Sequence, residues 1–284
     1  MEIVKTAELM QKRAEAVRLA GHVIALVPTM GFFHEGHLEL MRVGKKKSDM
    51  LFISIFVNPS QFGPAEDFAQ YPKDIEGDLA KARELGVDIV FMPSAEEMYP
   101  NGFQTNIHVK KMTQRLCGIS RPGHFDGVTT VVNKLFNITK PHLAVFGQKD
   151  YQQLAVINRM VKDLNMDIKL TEVPIVRESD GLAMSSRNSY LSPEERKSAL
   201  CLKESLDLAA VLFQKGEREA IVITGAIKLL IQGYAHTHVE YINLCDPVTL
   251  EDIHTLGKET LLALAVKVGQ TRLIDNCLLR KTFR

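Results

Sequence analysis

Short apolar runs alternate with segments of helical period over the first 176 residues. Val23 to Val27, Leu51 to Val57, Val87 to Met92, Leu143 to Phe146 and Ile168 to Val173 read as buried strands. Helices lie between them: Ile75, Leu79 and Ala82 recur at helical spacing, with Asp74, Asp78 and Lys81 assigned to the opposite, solvated face. A strand, helix, strand rhythm of this kind predicts a parallel sheet covered by helices on both faces.

The pattern changes after Arg187. Ser192-Pro193-Glu194-Glu195 has the N-cap, first-turn proline and capping-box glutamate of a helix start, and Ala199, Leu202, Leu206, Ala209 and Phe213 continue it as one apolar face to a stop at Gly216. Val239 to Leu244, Leu261 to Val268 and Arg272 to Asp275 then read as strands. The expected organisation is α/β: residues 1–176 as a Rossmann-like domain and 177–284 as a smaller C-terminal α+β domain. With 284 residues, 45% hydrophobic and 24% charged, the chain is an ordinary globular sequence that needs no disulfide or structural metal to build a core.

The formal net charge is +1, which argues against a protein that coats nucleic acid through bulk charge. That sum hides an acidic block beside a basic one. Residues 51–100 carry nine acidic and three basic side chains, and residues 101–150 carry two acidic and seven basic. No apolar run has the length of a membrane span, and the first residues lack the apolar core of a secretory signal. Cys117, Cys201, Cys245 and Cys277 are scattered without a Cys-x-x-Cys pair, which reads as buried thiols of a reduced cytoplasm.

Four polar clusters follow the carboxyl ends of predicted strands: Pro28 to His37, Asn58 to Phe62, Gly147 to Gln153, and Met184 to Asn188 beyond Val176. In an open parallel sheet those ends form one rim, where ligands bind. His34-Glu35-Gly36-His37 opens a helix, so two imidazoles sit where a helix N-terminus already attracts phosphate. Zinc chelation by His-x-x-His and a plain structural turn are the rival readings, although no third zinc ligand of clear spacing appears.

Gly147-Gln148-Lys149-Asp150 combines close backbone approach, a mobile positive charge and a carboxylate for ribose hydroxyls, or forms an exposed turn. Met184-Ser185-Ser186-Arg187, after the Asp180-Gly181 hinge, offers two hydroxyls and a guanidinium to a polyphosphate, or caps the next element. Arg121 to Gly127 reads as a loop that orders near the site, or as a structural turn, and Glu66 and Asp67 near the rim have no assigned purpose.

Pro28-Thr-Met-Gly-x-x-His-Glu-Gly-His37, Val57-Asn-Pro-Ser-Gln-Phe62, Arg121-Pro-Gly-His-Phe-Asp-Gly127, Phe146-Gly-Gln-Lys-Asp-Tyr-Gln-Gln153 and Arg177 to Asn188 together resemble the pantothenate synthetase family, the pantoate and β-alanine ligases. The resemblance implies adenylation of pantoate by ATP, then attack of β-alanine on pantoyl adenylate. It implies ATP contacts from Met30, Gly31, Phe32, Phe33, His34, Glu35, Gly36 and His37, with His37 as proton donor. Gly147, Gln148, Lys149 and Asp150, the backbone of Val176, and Met184, Ser185, Ser186 and Arg187 complete the ATP set.

Gln61 and Gln153 match the pantoate-binding pair, Gln61 also serving β-alanine; each amide can donate and accept without repelling a carboxylate. Met30 and Phe62 would form the apolar wall, unless Phe62 belongs to the core. Magnesium with ATP, a cytoplasmic homodimer and a C-terminal domain acting as lid over the reactive anhydride are further implications. A nucleotidyltransferase that stops after activation, or a binding module without chemistry, would have less use for Gln61, Gln153, His37, Lys149 and Arg187 together.

Overall fold

The computed structural model describes residues 1–64 and 66–280. The elements begin with β1 (Glu2–Val4), α1 (Ala7–Leu19), β2 (Ile24–Thr29), α2 (Glu35–Lys46), β3 (Met50–Ile55), α3 (Ile75–Glu84), β4 (Ile89–Phe91), α4 (Ala95–Met98) and α5 (Cys117–Ser120). They continue with α6 (His124–Thr139), β5 (Leu143–Gly147), α7 (Tyr151–Asp163), β6 (Lys169–Val173), α8 (Pro193–Ala199), α9 (Cys201–Gln214) and α10 (Ala220–Gln232). Three long strands close the chain: β7 (Thr237–Cys245), β8 (Glu259–Val268) and β9 (Thr271–Arg280).

By contact density the chain divides into two compact units. The first comprises Met1–Thr113, Arg121–Gln148 and Val156–Pro174; the second comprises Gln114–Ser120, Lys149–Ala155 and the chain from Ile175 on. The first contains a six-stranded sheet in the order β1-β4-β3-β2-β5-β6, in which each of the five neighbouring pairs is parallel. Ala25, Val27, Leu51, Ile53, Val90 and Val145 form one core face with Met41 of α2 and Ala82 of α3. Ile24, Leu26 and Phe52 are fully buried and alternate to the other face, where α1 and α6 pack against β2.

This strand order has one reversal that matters. The chain lays β2, β3 and β4 down in one direction, then places β5 and β6 on the other side of β2. The polar segments leaving β2 and β5 therefore flank the topological switch point, the crevice where open α/β sheets bind ligands.

The second unit packs α9 and α10 on the antiparallel sheet β7-β8-β9. Its core contains Leu202, Leu206, Phe213, Ile223, Ile227, Leu262, Leu264 and Val266. The excursion at 114–120 is held to the 149–155 segment by Gln152, whose Oε1 accepts from the Cys117 N–H at 3.0 Å and whose Nε2 donates to the Arg115 carbonyl at 2.7 Å.

Three details depart from the sequence expectation. The apolar face running from Ala199 to Phe213 is divided between α8 and α9 at Leu200, which nonetheless keeps helical angles (φ −63°, ψ −21°). β1, with three residues, is too short to show a period. α10 was hidden by an apolar surplus: Ala220, Ile223, Ile227 and Ile231 form its buried face, while Ile221, Val222 and Leu229 are exposed and blur the helical signal.

Candidate active site

The turn from β2 into α2 is built by backbone conformation first. Gly31 has φ +86° and Phe32 φ +53°, a left-handed stretch that a non-glycine residue enters only with compensation. The compensation comes from α3. Asp78 accepts from the Phe32 N–H at 2.7 Å with Oδ2 and from the Phe33 N–H at 2.6 Å with Oδ1, while Lys81 donates to the Phe33 carbonyl at 2.9 Å.

Asp78 is 1% exposed, so its assignment to a solvated helix face is overturned. Helical spacing put it on the polar side correctly, but that side faces the turn rather than water. Asp74 is the N-cap of α3, accepting from the Gly77 N–H at 3.0 Å. Burial raises the Asp78 pKa, outweighing the N–H groups of Phe33 and Phe32 and the charge of Lys81. A methyl group on Gly31 would sit 3.0 Å from Asp78 Oδ2 and 3.1 Å from Ile55, so a larger residue would crowd the carboxylate as well as strain the backbone at φ +86°.

The turn delivers two imidazoles at the start of α2. His34 is the N-cap, its Nδ1 accepting from the Gly36 N–H at 3.1 Å, and His37 Nδ1 accepts from the His34 N–H at 3.4 Å. This reciprocal arrangement is a capping box made of histidines. The rings lie 4.1 Å apart, inclined by 32°. Because a backbone N–H can only donate, each neutral ring carries its proton on Nε2. Neither Nδ1 is available to a metal, which removes half of the nitrogen donors on which a zinc reading would draw.

Gln61 is set from below by Asn58, which is 1% exposed. Asn58 is the N-cap of the 3-10 turn Pro59–Gln61. Its Oδ1 accepts from Ser60 N–H at 3.3 Å, Ser60 Oγ at 2.9 Å and Tyr99 OH at 2.8 Å. Its Nδ2 donates to the Gly127 carbonyl at 3.1 Å and to Gln61 Oε1 at 3.0 Å. Gln61 Oε1 is thereby occupied, and Nε2, 3.3 Å from Met30 Sδ, is left as the donor face of the amide. The Asn58 bond thus fixes which end of the Gln61 amide is which, with Oε1 toward Asn58 and the NH2 on the other side.

The Arg121 to Gly127 segment is a turn and the beginning of α6, with Gly123 at φ +80° before the first helical residue. Arg121 donates to both oxygens of Glu66, at 2.7 and 2.5 Å, and to the Gln61 carbonyl at 3.3 Å. This ion pair supplies the purpose that Glu66 lacked. Burial alone would raise the Glu66 carboxyl, but the hydrogen bonds and charge of Arg121 outweigh it and hold the pKa below its ordinary value. His124 Nδ1 lies 2.7 Å from the Gln61 carbonyl and Nε2 lies 3.1 Å from Arg121 Nη1. Since the carbonyl only accepts and the guanidinium only donates, His124 is protonated on Nδ1 and accepts on Nε2.

Gly147 ends β5 and Gln148 follows it in the first unit, its Nε2 donating to Glu172 at 3.1 Å. Lys149, Asp150 and Gln153 belong to the second unit. There the Lys149 carbonyl accepts from Asn276 Nδ2 at 2.9 Å, and Gln153 lies half-buried on the first turn of α7.

Also in the second unit, the Val176 carbonyl accepts from the Met184 N–H at 3.0 Å. Ser185 Oγ accepts from the Arg187 N–H at 3.3 Å, so the capping role weighed for it is filled. The turn at Asp180-Gly181 is fastened: Arg196 donates to Glu178 at 2.8 Å and Asp180 at 2.6 Å, Asn188 donates to Glu178 at 2.6 Å, and Arg177 pairs with Asp275 at 2.7 Å.

The first unit therefore gathers Met30 to His37, Gln61, Gly147 and Gln148, while the second carries Lys149, Asp150, Gln153, Val176 and Met184 to Arg187. Sequence reasoning missed Asp78, Lys81, Tyr99, Gln152 and Asn276 as supports. Only Asn58 carried a local signal, an Asn-Pro step that marks an N-cap before a first-turn proline.

The family model described as pantoate-beta-alanine ligase matches residues 2–278. The pantothenate synthetase of Syntrophus aciditrophicus is 55% identical over 276 residues, covering 97% of this chain and 96% of that protein. That of Geobacter sulfurreducens is 54% identical over 279 residues, covering 98% and 99%. The crystal structure of pantothenate synthetase from Thermus thermophilus superposes with TM-score 0.93 at 39% identity, covering 99% of this chain and 100% of that one. Pantoate-beta-alanine ligase from Francisella tularensis, complexed with beta-gamma ATP and beta-alanine, superposes with TM-score 0.80 at 32% identity, covering 98% and 97%.

Two substitutions test the scaffold. Asp78→Asn replaces one of two acceptors by an NH2 facing a backbone N–H, and is expected to cost about 1–3 kcal/mol in urea unfolding and to slow adenylation. A methyl group at Gly127 would lie 2.3 Å from the Ser60 carbonyl oxygen. Gly127→Ala is therefore expected to lose about 1–3 kcal/mol and to raise the KM for pantoate by displacing Gln61; an unchanged KM would show that the displacement is absorbed elsewhere.

Proposed function

The chain belongs to the pantoate–β-alanine ligase family, and from that premise we propose that it condenses pantoate with β-alanine through a pantoyl adenylate, releasing AMP and pyrophosphate. The observation that carries this reading is the histidine capping box at the N-terminus of α2, beside the switch point of the parallel sheet. It supplies two Nε2–H donors and the positive end of a helix where an α/β sheet takes a phosphate ligand.

In the first step a pantoate carboxylate oxygen attacks the α-phosphorus of ATP, and the bond to the bridging oxygen of pyrophosphate breaks. Negative charge grows on the phosphoryl and departing oxygens, so fixed donors stabilise the transition state without a protein nucleophile. We assign that work to His34, His37 and the backbone of Met30 to His37, with Lys149, Ser185, Ser186 and Arg187 on the polyphosphate. Gly147, Gln148 and Asp150 take the ribose side and the Val176 backbone the adenine. Gln61 and Gln153 hold pantoate, Gln61 through its NH2. In the second step the β-alanine amine attacks the acyl carbon, AMP leaves, and the amine loses a proton to solvent; Gln61 would meet β-alanine at its carboxylate.

An ATP-using ligase works with a divalent metal, and magnesium is our assignment. Among the described residues no three His, Cys, Asp or Glu groups gather as a metal site. Magnesium would enter with the nucleotide and would supply positive charge against its phosphates. We also infer a cytoplasmic homodimer. Cys117, Cys201, Cys245 and Cys277, none of them in a disulfide, suit a reducing compartment, and the dimer follows the family.

One assay decides the reaction: AMP release at multiple turnover requires both pantoate and β-alanine. Equal AMP release without β-alanine would remove the second step. His37→Ala and Lys149→Ala are each expected to slow single-turnover adenylation by roughly 10²- to 10³-fold, the typical loss of one preorganised donor. A loss under about tenfold would contradict the assigned role.

A further inference from the structure

Tyr99 belongs to none of the motifs from which the site was read, yet its hydroxyl reaches the base of it. The residue follows α4, and its ring packs on Phe103 and Phe56 with centroids 5.1 and 6.4 Å away. The Lys134 ammonium lies 5.9 Å from the ring centre. At the other end the hydroxyl donates to Asn58 Oδ1 at 2.8 Å and stands 3.1 Å from Ser60 Oγ. Burial raises the phenol pKa against the opposing bonds from Ser60 and Asn58, so the hydroxyl keeps its proton and remains a donor.

The consequence runs through two amides. Tyr99 OH and the Ser60 N–H are donors, and the Gly127 carbonyl is an acceptor, so the Asn58 amide has only one orientation: Oδ1 toward Tyr99, Nδ2 toward Gly127. The second proton of Nδ2 goes to Gln61 Oε1 at 3.0 Å. Gln61 is consequently held with its NH2 outward. Reversed, the same glutamine would set its carbonyl oxygen against a carboxylate, turning an attraction into a repulsion.

We propose that Tyr99 is a positioning residue for this reaction: acting through Asn58, it fixes the Gln61 amide so that the site presents an NH2 to an oxygen of the acid substrate. The inference rests on the reading of Gln61 as a pantoate-binding residue. It also turns the NH2 of that amide toward the ligand, which favours a carboxylate or hydroxyl oxygen there over an ammonium group.

The test is a double-mutant cycle on the full-length enzyme with steady-state kinetics. Tyr99→Phe keeps the ring on its aromatic support and removes only the hydroxyl. It is expected to raise the KM for pantoate roughly threefold to tenfold, the effect of one neutral hydrogen bond, with kcat and the KM for ATP unchanged. Gln61→Ala is expected to raise the same KM further. In the Gln61→Ala background Tyr99→Phe should then add nothing, because the group it orients is gone.

Additive effects in the cycle, or a Tyr99→Phe enzyme with unaltered KM for pantoate, overturn the positioning role while leaving Gln61 as a pantoate ligand. An unaltered KM for pantoate in Gln61→Ala overturns the underlying reading instead. Thermal unfolding of each variant separates these outcomes from loss of fold: a shift in both KM values with a lowered Tm would mark Tyr99 as a general support and also overturn the proposal.

Discussion

The way the chain leaves β2 depends on one buried carboxylate. Asp78 accepts the N–H groups of two successive residues in a turn that passes through the left-handed region. Without it, the buried Phe33 N–H would lose its acceptor, at a cost of about 1–3 kcal/mol, and the part-buried Phe32 N–H would lose this one. Everything downstream is referenced to that turn: the first residue of α2, the histidine that caps it, the second histidine that caps the first, and the direction in which the helix dipole points. A charge on α3 thus governs a site on α2 without any need to touch a ligand.

A second constraint acts on the other side of the same unit, and it is steric. α6 approaches the Pro59–Gln61 turn so closely that only glycine fits at position 127, and the carbonyl exposed by that approach accepts from Asn58. The charge blocks of the sequence acquire their meaning here. Glu66 from the acidic block and Arg121 from the basic block neutralise each other beside Gln61, so the Arg121 charge is met within its own unit. Its guanidinium instead ties the Glu66 segment, His124 and the Gln61 backbone into one assembly.

The architecture was largely legible because buried parallel strands write themselves as uninterrupted apolar runs. Leu51 to Val57 and Leu143 to Phe146 locate β3 and β5 within a residue or two, and the polar segments after them are conspicuous by contrast. The groups assigned to ligands were also legible, since histidines, glycines and glutamines crowd into a few short stretches. The supports were not. Asp78 obeys helical spacing whether its face meets water or a neighbouring turn, and period alone cannot tell the two apart. Tyr99, Gln152 and Asn276 act on partners distant in the chain, and pairings of that kind exist only once the topology has closed.

The histidine capping box has a consequence for the proton inventory of the reaction. A ring whose Nδ1 is occupied by a backbone amide holds a single exchangeable proton, on Nε2. Surrendering it would leave an imidazolate, an anion beside departing pyrophosphate. In the proposed reaction His34 and His37 would therefore act as fixed dipoles, sharing their protons with phosphate oxygens and keeping them, rather than as acids that are spent and must be recharged every turnover. A site built so has nothing to reload when its product leaves.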